Sequence, residues 1–226
     1  MDDGEPQRFV EVLGRRLEYV DIPAGAPDRP AAVLLHEGLG CVAMWGSFPE
    51  RVAATTGCRT VAYSRPGYGA SDPVDGACTP RYLHDEALDV LPALRDALAL
   101  DRVVLIGHSD GGSIALIHAG ADRWPVAGLV VLASHEFVED AALRGIAEVG
   151  REWATTDLPQ RLARYHRDAE WVFRSWHDTW LSPWFRDWTI EDCLPGIRCP
   201  ILAMQGEDDE YATMAQLDTI SARATR

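Results

Sequence analysis

The chain contains no lysine and no asparagine. All 21 of its basic residues are arginine, set against 35 acids, for a net charge of −14 over 226 residues. So acidic a balance argues against nucleic acid and anionic membrane surfaces as partners, since either needs a basic patch. Without asparagine there is no N-glycosylation acceptor. No apolar run approaches the roughly 18 residues of a membrane-spanning helix. The opening MDDGEPQRF is acidic and lacks the apolar stretch of a secretory signal, so a cytoplasmic location is expected. The five cysteines (Cys41, Cys58, Cys78, Cys193, Cys199) form no C-x-x-C pair and read as reduced thiols. H-E-x-x-H, P-loop and dinucleotide fingerprints are all missing, so no metal or organic cofactor is expected. Repeats and low-complexity stretches are absent too. What remains, 47% hydrophobic and 25% charged, is the composition of a packed globular protein.

Periodicity gives the organisation. Residues 8–22 alternate and turn at Gly14-Arg15, as a hairpin does. AAVLLH (31–36), RTVAYS (59–64), DRVVLIGHS (101–109), VAGLVVLAS (126–134) and CPILAMQGEDD (199–209) contain short apolar runs of the kind buried parallel strands show. Helix candidates lie between them: 48–56, a segment opened by Thr79-Pro80 with Pro92 as a kink point, the run after Ser109, and a last one over 214–222. Strands alternating with helices imply an α/β fold with a mainly parallel sheet, whose loops at the strands' C-terminal ends form the ligand site. Residues 139–195 break the rhythm. They hold six of the eight tryptophans and no strand-like run, and read as a helical insertion, with Ser182-Pro183 capping a new helix. The expected division is therefore a core of residues 1–138 and 196–226 around a cap of residues 139–195.

Gly107-His108-Ser109-Asp110-Gly111 fits G-x-S-x-G and lies between a strand and a helix, the context a nucleophile elbow requires. A bare match is weak, and a tight turn with a capping serine would look the same; the flanking strand and glycine pair add weight. A nucleophilic Ser109 needs two backbone N–H groups for an oxyanion, and Asp110 and Gly38 of the HEGLG loop are the candidates. It also needs an acid later in the chain. Asp209 in the Gly206-Glu207-Asp208-Asp209 turn is the first choice, Asp208 the second and Glu136 the third. His36, Glu37, His135 and Trp180 are candidate substrate-pocket residues. His84, His118, His166 and His177 lie on helix candidates and read as surface or interface positions.

These motifs together resemble the α/β-hydrolase fold family over essentially the whole chain. HEGLGCVAMW resembles its oxyanion loop, with Glu37 where glycine is usual. YSRPGYGASD resembles its D-x-x-G-x-G-x-S segment, with Ser64 for Asp. GHSDGGSIAL resembles the elbow, PILAMQGEDDEY the acid strand, and the Trp-rich insertion sits where the family carries its cap. The resemblance implies a Ser-Asp-His triad, yet no histidine follows Asp209. It also implies a last strand and closing helix, which here are missing. Loss of the histidine from such a triad costs about a million-fold in kcat. The expected function is hydrolysis of an ester, lactone or similar carbonyl substrate of small size. The alternative is a catalytically inactive binding protein using the same cleft. Two accounts of the departure follow, a chain cut short relative to the family or a shortened relative that binds without turnover. A histidine supplied by a partner subunit is a third.

Overall fold

A computed structural model describes residues 7–26, 28–76 and 78–224. The acidic opening residues 1–6 and the final 225–226, read above from sequence, lie outside the described residues. Seven strands form one sheet in the order β1-β2-β4-β3-β5-β6-β7. β1 (Arg8–Val12) and β2 (Arg15–Ile22) make the hairpin, and β2 runs antiparallel to β4 (Thr60–Tyr63). β3 (Ala31–Leu35), β5 (Val103–His108), β6 (Val126–Leu132) and β7 (Ile201–Met204) continue in parallel. Their C-terminal ends are in register: Leu35 pairs with Gly107, His108 with Leu132 and Leu132 with Met204. That alignment gathers the loops containing Glu37, Ser109, His135 and Asp209 along one edge of the sheet.

α1 (Phe48–Thr56) follows β3, and α4 (Asp110–Gly120) packs beneath β5 and β6 with nearly every residue buried. The helix expected from Thr79 begins later, as α2 (Tyr82–Asp85), and Pro92 acts in an unexpected way. Instead of a kink, the chain widens into a π turn over Glu86–Val90 before α3 (Leu91–Ala97). In that register Leu91 donates to the carbonyl of Glu86, and the next carbonyl, Ala87, would need the N–H that Pro92 lacks. His118 supplies it: Nδ1–H donates to Ala87 at 2.7 Å, while Nε2 accepts from the buried Arg95 at 2.8 Å. His118 is thus fully buried, not a surface residue as its place on a helix suggested.

The insertion folds as α5 (Asp140–Thr155), α6 (Leu158–Leu162), α7 (Ala169–Trp180) and two 3₁₀ turns, 183–185 and 191–196. A bridge between Phe137 and Thr189 closes its base. Ser182 does not cap a new helix; its hydroxyl donates back to Thr179 at 2.7 Å and only a single turn follows Pro183. Trp180, Phe185 and Trp188 form the insertion's aromatic core. α8 (Ala215–Arg223) packs against β7.

β7 ends the sheet. Leu202 is 56% exposed, Leu132 42% and Met204 40%, so the apolar face of β6 and β7 is bare, unlike a parallel sheet covered on both sides.

Burial lowers the His118 pKa to about 4, whereas an unfolded histidine titrates near 6.5. Its contribution to stability is complete above pH 6.5 and is lost as pH falls toward 4. We expect His118→Gln, which cannot titrate, to lose less stability than the parent over that interval, by up to about 1.4 kcal/mol per pH unit. Equal pH slopes in urea unfolding would show that the ring is not held neutral.

Candidate functional site

Ser109 joins β5 to α4 with φ 51 and ψ −118, a left-handed backbone that a residue with a side chain adopts only where its surroundings enforce it. The flanking glycines are the reason the turn closes. A Cβ on Gly107 would stand 2.2 Å from the carbonyl oxygen of Gly111, and one on Gly111 2.0 Å from that of Leu35. The Ser109 N–H donates to Leu132 at 2.9 Å, tying the elbow to β6.

Ser109 opens on a cavity of about 310 Å³ that Glu37, Gly38, His108, His135, Trp180 and Asp209 also line. Gly38 lies against an indole: a Cβ there would stand 2.3 Å from Cδ1 of Trp176. The N–H groups of Gly38 and Asp110 are not taken up by the loop and helix-end hydrogen bonds, and Asp110 begins α4, where helix-terminal donors favour negative charge. Asp209 is half-buried; Glu207 and Asp208 are exposed. Its Oδ1 accepts from the N–H groups of Tyr211 at 2.8 Å and Ala212 at 3.2 Å. Trp180 is buried, donates its indole N–H to Tyr82 Oη at 3.0 Å, and packs edge-on against His135 at 4.9 Å. It serves both the aromatic core of the insertion and the cavity wall.

Two expected placements, those of His36 and Glu136, differ, and the Asp110 side chain turns away from the site. His36 does not line the cavity. Its Nδ1–H donates to the carbonyl of Glu37 at 2.7 Å and its Nε2 accepts from the N–H of Arg65 at 3.1 Å, so both nitrogens are committed. Burial and the Arg65 charge lower its pKa to about 3, which keeps the ring neutral. The Asp110 carboxylate does not acidify the cavity. It points into the core, where Oδ2 accepts from both Arg65 terminal nitrogens at 3.3 Å and from Tyr82 Oη at 3.0 Å. The Glu136 carboxyl is buried outside the cavity, accepts from Ser134 at 2.8 Å, and is pushed up to about 7 by burial. Glu37 is therefore the carboxylate that lines the cavity next to Gly38. Burial opposes its charge, but the neighbouring His108 imidazole, 3.8 Å away, and His36 overcome this and hold its pKa at about 2.

Two residues escaped the sequence reading. Arg65, in the SRPGYG loop, joins that loop to the elbow. His166, in the insertion and read as a surface position, is buried: Nδ1 accepts from Gly69 N–H and Nε2–H donates to the Leu39 carbonyl, both at 2.9 Å. It thereby pins the insertion to the loop containing Gly38. No local pattern marks such a residue, since its partners lie 97 and 127 positions away. Ser64, standing where the resemblance expects Asp, donates to Glu18 at 2.7 Å and accepts from Val42 N–H at 2.9 Å, which anchors the same loop to the hairpin.

A family model described as the alpha/beta hydrolase family matches residues 32–225. The chain belongs to this family. It is 32% identical over 161 residues to a haloalkane dehalogenase of Mycolicibacterium smegmatis, covering 71% of this chain and 45% of that one. A proline iminopeptidase of Lactobacillus delbrueckii subsp. lactis is 32% identical over 106 residues, 47% of this chain and 36% of the relative. The chain thus spans about half the length, or less, of these relatives. Among solved structures, the enol-lactonase of Burkholderia xenovorans LB400 superposes with a TM-score of 0.68 at 20% identity, over 96% of this chain and 87% of that one. At that identity the likeness speaks to the fold, which is the α/β-hydrolase fold expected from the motifs. Among the described residues no helix is long and apolar enough to cross a membrane.

Removing Arg65 leaves Asp110 as an uncompensated buried charge. Arg65→Met is expected to cost about 3–5 kcal/mol and Tyr82→Phe about 1–3 kcal/mol, both read from urea unfolding. Similar small losses in the two variants would show that the ion pair is not what holds the elbow.

Proposed function

We propose that the cavity beside Ser109 is the site of a serine-hydrolase reaction on a small ester, lactone or similar carbonyl substrate. The observation that carries this reading is the strained Ser109 backbone at a helix N-terminus, opening on a cavity that Gly38 and Asp209 also line. In this reading Ser109 Oγ attacks the carbonyl carbon and its proton passes to a base. The N–H groups of Gly38 and Asp110 take the charge that develops on the carbonyl oxygen. The leaving alcohol departs with a proton, and water then cleaves the acyl-serine to free acid and serine. Asp209 orients the base. The resemblance assigns that base to a histidine after Asp209, and none of this chain's histidines stands there. His135 lines the cavity, but burial lowers its pKa and makes it a weak proton acceptor, so in this reading it serves substrate contact. With His36 and His166 committed to backbone groups and His135 a weak proton acceptor, a second reading is a binding protein that holds a carbonyl ligand in this cavity without turnover.

Added imidazole separates the two. With a p-nitrophenyl ester of a short acid, the hydrolase reading expects slow turnover that imidazole raises at least about tenfold in a saturable way, and Ser109→Ala abolishes the rise. Saturable ester binding with an imidazole effect no larger than in the Ser109→Ala protein supports the binding reading. Glu37 gives a selectivity test. A carboxylated ester is expected to bind more weakly than its neutral counterpart, and Glu37→Gln to narrow that gap roughly tenfold. Equal binding of both esters by the parent chain would remove Glu37 from specificity.

A further inference from the structure

A second cavity, of about 350 Å³, shares no lining residue with the first. It lies among the loop after β4, α2 and the insertion, with Tyr68, Tyr82 and Trp171 as aromatic walls and Val90 as an aliphatic one. Glu86, the first residue of the π turn, also lines it. This side chain is only 6% exposed, and one of its oxygens, Oε1, accepts from Tyr63 Oη at 2.5 Å. The other, Oε2, has no hydrogen-bond partner among the described residues, and it is not among the polar atoms sealed off from solvent, so it opens on the cavity. A carboxylate oxygen on a largely buried side chain, open to the cavity and without a protein partner, leaves a place there for a hydrogen-bond donor.

Arg65 is the nearest cation, and it is already engaged. Its terminal nitrogens hold Asp110 and the Glu37 carbonyl, and its face lies over the Tyr68 ring at 4.5 Å. Its Nε–H has no partner but is sealed from solvent, so deep in the cavity an anion would find no accessible guanidinium nitrogen that is not already engaged. Towards the mouth, Arg15 is matched by Asp75 and by Asp85, which is itself paired with Arg81 at 3.4 Å. Burial pushes the Glu86 carboxyl up to about 7, against the pull of Arg65 and the Tyr63 hydrogen bond. A cation supplied from outside would relieve that burial, and aromatic faces attract cations as well.

We propose that this cavity binds a small organic ammonium compound, its charged nitrogen on Glu86 Oε2 and its apolar body between Tyr68, Tyr82 and Trp171. This goes beyond the reaction at Ser109 and stands whether or not that reaction occurs. The test is calorimetric titration at pH 8 and low salt with 2-phenylethylammonium, the neutral 3-phenylpropan-1-ol and the anionic 3-phenylpropionate. The amine is expected to saturate one site, with the alcohol and the carboxylate at least tenfold weaker. Glu86→Gln should weaken the amine at least tenfold while leaving the alcohol nearly unchanged. Val90→Phe, which fills the cavity, should weaken both. Asp85→Asn, at the exposed mouth, should weaken the amine by roughly two- to threefold at low salt, and it keeps the test readable where Glu86→Gln fails to fold. Amine and alcohol binding alike, no saturable amine binding, or amine affinity unchanged in all the folded variants would overturn the assignment.

Discussion

The ion pair between Arg65 and Asp110 is where the chain's distant segments meet. Both side chains are almost wholly buried, and each buried charge costs several kcal/mol in desolvation before any partner is counted. The partners are therefore numerous. Arg65 comes from the loop after β4, Asp110 from the elbow, Tyr82 from α2, and the Glu37 carbonyl from the loop after β3. Trp180 of the insertion joins through Tyr82. This arrangement fixes the first residue of α4 by holding its side chain in the core. It also divides the interior into two cavities of different character, one bordered by Ser109 and one by Glu86.

Buried histidines extend the same logic to uncharged contacts. His36, His118 and His166 each donate with one nitrogen to a carbonyl and accept with the other from an N–H donor. Burial keeps each ring neutral, and only a neutral ring can both donate and accept. They join segments that have no strand or helix in common. The loop with Gly38 is held from three sides: His36 from within, Ser64 and Arg65 from the end of β4, and His166 from the insertion. A chemistry that needs a titrating base cannot draw on His36 or His166 without breaking the loop it depends on.

The helical insertion carries the chain's densest aromatic packing, and its tryptophans divide between roles. Trp180 joins the core of the insertion to the cavity wall, Trp176 lies over Gly38, and Trp171 packs on Gly67 and borders the second cavity. An indole set against a glycine gives close contact at low conformational cost, and here it brings the insertion down onto two loops of the sheet.

Much of this was legible in the order of residues. Apolar runs of strand length, the hairpin turn at Gly14, and the elbow Gly107-His108-Ser109-Asp110-Gly111 each depend on a few neighbouring positions, so the alternation and steric rules that govern them can be read locally. The same holds for Asp209, whose turn follows the last strand. What the sequence left open was direction and partnership. Whether Asp110 faces the cavity or the core, whether His36 is free or committed, and whether Pro92 kinks or widens its helix all turn on groups 29 to 45 positions away. Burial of His166 and the opening of Glu86 on a cavity of its own are likewise products of packing. Local chemistry determined which elements form; the cost of burying unpaired polar groups, settled only when distant segments meet, decided which side chains face the site and which hold it in place.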